Sequence, residues 1–115
     1  MIRNWIGHWT LDKTTAMQYV MQDEEFEWDD DKAALNWRNH GIRFEMAREA
    51  FRDVFAVAWV DDRHGDQEER FNVLGVVESR LLHVTYTLRN DRTRIISARK
   101  AEPHERRRYH NENEA

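Results

Sequence analysis

The spacing of apolar positions changes period several times along the chain, and each change marks an element. Phe26-Glu27-Trp28 alternates apolar and charged residues, as a short strand does. Asp29 to Asp31 supply an acidic N-cap and first turn, Lys32 to His40 hold good helix formers, and Gly41 stands where a C-cap needs positive φ. These signals predict a helix over about 29–40. Its Lys32, Asn36 and His40, four apart, share one face. Phe44, Ala47, Ala50, Phe51 and Val54 follow at helical spacing, with Glu45, Arg48, Glu49 and Arg52 opposite, which predicts a second, amphipathic helix.

From Phe55 the run Phe-Ala-Val-Ala-Trp-Val, closed by Asp61-Asp62, reads as a strand buried on both faces, and 61–68 as a polar turn. Three more strands are legible at about 69–77, 81–89 and 92–100. Their connections, Glu78-Ser79-Arg80 and Asn90-Asp91, are short enough for an antiparallel meander. Pro103 suits the first turn of a last helix containing Arg106 to Tyr109, with the polar tail from His110 fraying. The order β-α-α-β-β-β-β-α predicts a compact α+β domain, with two N-terminal helices and one C-terminal helix gathered on an antiparallel sheet. Strand parity assigns Leu82, Val84, Tyr86 and Leu88 to the core face and His83, Thr85, Thr87 and Arg89 to the other. By the same rule Phe71, Val73, Ile96 and Ala98 point inward, and Arg70, Asn72, Ile95, Ser97 and Arg99 outward. Arg70, Arg89 and Arg99 are thereby expected on one polar face.

At 115 residues and 40% hydrophobic content, with five Trp and five Phe, the chain holds one core. The lack of cysteine excludes a disulfide scaffold, thiolate zinc sites and cysteine nucleophiles. No run approaches the roughly 20 apolar residues of a membrane span, so the expectation is a soluble, cytoplasmic protein with no membrane partner. Residues 1–22 carry only three charges, whereas DEEFEWDDD at 23–31 carries seven. That change divides the chain into an N-terminal extension, 1–22, and a domain over 23–115. Either translation starts at Met17 or Met21, or Trp5, Ile6, Trp9 and Leu11 pack as an extra element.

The net charge of -4 argues against a nucleic-acid partner only if charge is spread evenly, and here it is not. Residues 1–62 hold 7 basic against 13 acidic residues, and residues 89–108 hold eight Lys/Arg against three acids. Guanidinium groups stay charged and bind phosphate bidentately, so several on a rigid sheet suit a nucleic-acid backbone and a developing phosphorane. A solvated sheet face is the plainer alternative. The six histidines lack metal-ligand spacing, so no metal or other cofactor is expected. His40 reads as a C-terminal cap or as a phosphate contact or proton-transfer group. Tyr109 reads as a packing residue or as one that stacks on a base or binds phosphate. Glu69 lies on core parity but at a strand end, within reach of solvent.

The segments FEWDDDKAALNWRNHGIRFEMAREAF at 26–51, DDRHGDQEERFNVLG at 61–75, VTYTLR at 84–89 and RIISARKAEPHERRRY at 94–109 resemble, in order and spacing, the BrnT toxins of bacterial type II toxin-antitoxin systems, within the RelE-like ribonuclease superfamily. The matched positions are Lys32, Asn36, His40, Gly41, Glu69, Arg70, Tyr86, Arg89, Arg94, Ser97, Arg99, Lys100, Glu105, Arg106 and Tyr109. Asn39 departs from the pattern where a Lys commonly precedes the His, and Val54 where a Pro is common. The resemblance implies an endoribonuclease that inhibits translation without metal, attacking through the ribose 2′-OH. Arg89, Arg99, Glu69, His40 and Tyr109 would be catalytic, and Lys32, Arg70, Arg94 and Lys100 would bind RNA. It also implies a BrnA-type ribbon-helix-helix antitoxin, which neutralises the toxin and carries the complex to operator DNA to repress the operon. A decayed toxin acting only as co-repressor is the alternative.

Overall fold

The computed structural model describes residues 25–64 and 68–114; the extension 1–22 lies outside them. Strand β1 (Phe26–Glu27) leads into helix α1 (Asp30–His40) and a short helix α2 (Phe44–Ala47) that continues as a 3-10 turn (Arg48–Arg52). Strand β2 (Val57–Asp61), a second 3-10 turn (Asp62–His64), β3 (Arg70–Val77), β4 (Arg80–Arg89), β5 (Arg92–Lys100) and helix α3 (Pro103–Asn113) complete the order. The strands form one sheet, β1-β5-β4-β3-β2.

The α+β class and the three helices match expectation, but the sheet is mixed. β2 to β5 form the antiparallel meander, whereas β1 pairs parallel to β5 through Phe26 with Thr93 and Glu27 with Arg94. Nor do the helices share one side. One apolar cluster joins Phe44, Ala47, Ala50 and Phe51 to Val73, Leu82, Val84, Tyr86, Ile95 and Ala98. The second joins Val57, Leu74, Leu81 and Ala101 to Tyr109 of α3 on the other face.

Local signals account for the boundaries. The Asp29 carboxylate accepts from the Lys32 N–H at 3.0 Å, and Gly41, at φ 68°, closes α1. Both hairpins turn on two residues of positive φ, Glu78-Ser79 and Asn90-Asp91, the geometry that matches strand twist. The first loop is thus a residue shorter than its sequence suggested. The second predicted helix tightens at Arg48 because Ala50 lies against Gly75 of β3. A Cβ on Gly75 would stand 2.2 Å from the Ala50 carbonyl oxygen.

β2 is an edge strand, not one buried on both faces, and Val60 is half exposed. The parity of β5 also needs correction. A bulge opposite Thr85/Tyr86 inserts Ile96, so Ile95, not Ile96, pairs with Tyr86 and enters the core. Leu88, of core parity, is half exposed at its strand end, and α3 runs through Asn113 instead of fraying from His110.

Candidate RNA-binding cleft

The sheet face beneath α3 carries His83, Thr85, Thr87 and Arg89 from β4, flanked by Arg99, Ser97 and Arg94 of β5 and by Asn72 of β3. Where α3 leaves this face, a cleft of about 450 Å³ opens, lined by Trp59, Asp61, Arg63, Asn72, His83, Arg99, His104, Glu105 and Arg108 among others. Pro103 starts α3, and Glu102 and Glu105 close a capping box in which the Glu102 N–H donates to Glu105 Oε1 at 2.8 Å. That turn carries the buried Glu105 carboxylate over β5. There Arg99 Nη1 and Nη2 donate to Glu105 Oε1 and Oε2 at 2.9 and 2.8 Å. Burial alone would raise the Glu105 pKa, but the Arg99 hydrogen bonds and the Glu102 N–H outweigh it and hold the group below its ordinary value.

His83, opposite Arg99 and buried, has its pKa lowered chiefly by desolvation. Its Nε2 stands 3.7 Å from Glu105 Oε2, and its ring meets Trp59 edge to face at 5.8 Å. The Arg108 guanidinium lies 4.0 Å over the Trp59 ring. Across the cleft the buried Asp61 accepts from Arg63 Nε and Nη2 at 2.9 and 2.8 Å, and its carboxyl is held well below the carboxylate range, foremost by that pairing. Donor atoms of Glu102, His104 and Glu105 come within 4.8 Å of one another, but both Glu105 oxygens already accept hydrogen bonds.

The predicted residues divide between places. Arg70, Arg89 and Arg99 do share the polar face, but Arg89 lies six residues along β4 from His83, the partner of Arg99. At strand rise that is about 20 Å, so one phosphate cannot touch both. Arg89 donates to Glu68 at 2.8 Å and Arg94 to Glu27 at 3.0 Å. Glu69 is exposed at the Arg89 end, where its carbonyl accepts from the Thr87 hydroxyl. Lys32 and His40 are exposed on α1, flanking a buried Asn36, and Lys100 is exposed at the end of β5. Tyr109 packs in the second apolar cluster, and its hydroxyl donates to Asp53 Oδ2 at 2.5 Å. Burial and that carboxylate push its pKa far up.

Trp59, Arg63, His83 and Arg108 line the cleft without having been singled out as site residues. His83 carries a signal, as a polar residue alternating with core positions on β4, and Arg108 stands in the basic run 89–108; that they meet Trp59 and Arg63 is decided by tertiary packing.

Arginines, histidines and an indole around one open cleft are chemically able to hold a phosphate and stack on an aromatic base. A family model described as the ribonuclease toxin BrnT of type II toxin-antitoxin systems matches residues 28–105, and the chain belongs to that family. No curated relative matches the chain. Among the described residues no helix is long and apolar enough to cross a membrane, which leaves β-barrels unaddressed.

Proposed function

We propose that the chain is a cytoplasmic endoribonuclease toxin that cuts RNA in the cleft beneath α3 by 2′-OH attack, without metal. A base takes the 2′ proton, the O2′ attacks the adjacent phosphorus as the bond to O5′ breaks, and an acid protonates O5′. The products carry a 2′,3′-cyclic phosphate and a 5′-hydroxyl. Arg99 neutralises the phosphorane. His104 on the cleft rim and His40, one turn beyond the Asn36 that bonds Ala98, are exposed imidazoles on the two helices that adjoin β5. These two are the acid-base candidates. Glu69 lies at the far end of the face and Tyr109 serves packing, so neither is assigned a proton. Trp59 and Arg108 offer a stacking surface for a base, and Arg70, Arg89 and Arg94 continue the phosphate track. Lys32 and Lys100 add charge on α1 and at the end of β5. A BrnA-type ribbon-helix-helix antitoxin covers this basic face, and the complex represses its own operon.

The observation that carries the reading is the ribonuclease-toxin family match across 28–105, a span that includes Arg99 in the cleft. Induction in a bacterial host should arrest growth, and Arg99→Ala should relieve the arrest. Purified protein should release cyclic-phosphate ends in the presence of chelator. Cleavage that stops on chelation, or arrest unchanged by Arg99→Ala, would overturn the proposal.

A further inference from the structure

We infer that Glu105 is the positioning residue for Arg99, gripping one edge of its guanidinium and leaving the other edge to a substrate phosphate. The inference rests on the ribonuclease reading above. A guanidinium has five N–H donors. Three of those on Arg99 are engaged: Nη1 to Glu105 Oε1 and to the Lys100 carbonyl at 3.1 Å, and Nη2 to Glu105 Oε2. The two left, on Nε and on the outer side of Nη2, lie along one edge and form a second fork, which fits two phosphate oxygens. Arg99 lines the cleft with about a third of its side chain exposed, which lets a ligand reach it, and the unbonded edge is the one we assign to the phosphate.

Glu105 is suited to hold the first edge still. Its carboxylate is buried, tied to the Glu102 N–H at 2.8 Å, backed by His83 and set in the first turn of α3, where the helix dipole favours a negative charge. Lys100 and Glu102, which lie between the two on the chain, each bond to one of them, so a shift of α3 against β5 breaks the pair. Arg99 is therefore a fork fixed before substrate arrives, and its hold on the phosphate requires no rotamer search.

Single-turnover and steady-state cleavage of a short RNA by the full chain, Glu105→Gln, Arg99→Lys and the double variant tests this. Misplacing Arg99 should lower kcat by about 100-fold in Glu105→Gln with little change in KM. The double variant should be no slower than Arg99→Lys, because the second change acts through the first. Losses that multiply, wild-type kcat in Glu105→Gln, or tighter RNA binding in that variant, as expected if Glu105 merely competes for Arg99, would each refute the inference. If Glu105→Gln is unfolded by circular dichroism, Glu105→Asp, which keeps the charge but shortens its reach, replaces it. A second readout stands apart from activity: the Arg99 Nη–H resonance pattern, with protons held by Glu105, should be resolved and slow to exchange in the wild type and averaged by rotation of the guanidinium in Glu105→Gln. A wild type that leaves RNA intact defeats the ribonuclease reading alone. The resonance then decides the positioning, and its persistence in Glu105→Gln overturns it.

Discussion

Asn36 uses its whole carboxamide inside the fold. Its Nδ2 donates to the carbonyls of Ile42 and Ala98, each at 2.9 Å, and its Oδ1 accepts from the Ala98 N–H at 3.0 Å. β1 covers the outer edge of β5 only as far as Arg94, and the side chain replaces a strand beyond it. Asn36→Leu should therefore destabilise the chain by about 3 kcal/mol in urea unfolding, since it orphans buried groups of the main chain. The helical spacing put Asn36 on one face with Lys32 and His40, but a four-residue period cannot say which of three polar residues turns inward; the partner, Ala98, is 62 residues away. His83 gives a prediction of pH. Its folded pKa lies below the ordinary 6.5 because burial disfavours the cation. The unfolded chain thus takes up a proton that the folded one resists, so stability is full above about pH 6.5 and falls as pH drops toward the lowered value. His83→Gln should flatten that part of a plot of unfolding midpoint against pH; an unchanged slope between pH 7 and 5 would show that His83 is not its source.

Elements were most legible where a local rule decides them, as in α1 with its Asp29 and Gly41 caps and in the two positive-φ hairpin turns. Tertiary contact decides the rest. The parallel β1 depends on where a two-residue strand docks, and the Ile96 bulge shifts the parity of β5 through one unpaired residue that alternation cannot reveal. The tightening of α2 has the same kind of origin. It seats Ala50 against Gly75, and two glycine substitutions separate crowding from backbone conformation. Gly75→Ala should cost about 3 kcal/mol, because the methyl would overlap the Ala50 carbonyl and push the 3-10 turn off the sheet. Gly41→Ala meets open space, and should cost only the 1–2 kcal/mol or so of holding a Cβ at positive φ. Thermal denaturation of the two variants side by side gives the comparison, and an equal loss in both would contradict the close packing.

At the scale of the whole molecule, the separation of Arg89 from Arg99 decides what the basic face can do. Eight Lys/Arg between 89 and 108 looked like one site in the sequence, but the β4/β5 hairpin spreads them from its turn to the start of α3. The acidic first half confines this charge: Glu27 pairs with Arg92 and Arg94 at the turn end, whereas Arg99 at the other end pairs with Glu105 of α3 and opens on the cleft. A polyanion crossing the face would meet several arginines in succession, each binding its own phosphate, and only the one at the cleft would face the reacting group. The two arginines should then fail differently. Arg99→Ala should lower kcat by about 100- to 1000-fold, as loss of a group that stabilises transition-state charge does. Arg89→Ala should leave kcat near wild type, weaken RNA binding, and reduce the slope of log affinity against log salt by about 0.7, the contribution of one single-strand phosphate contact. Cleavage rates and affinities measured from low to physiological salt separate the two roles. If Arg89→Ala lowers kcat as much as Arg99→Ala with an unchanged salt slope, both arginines act on one phosphate, and the RNA-bound protein must fold its β4/β5 hairpin differently from the free chain.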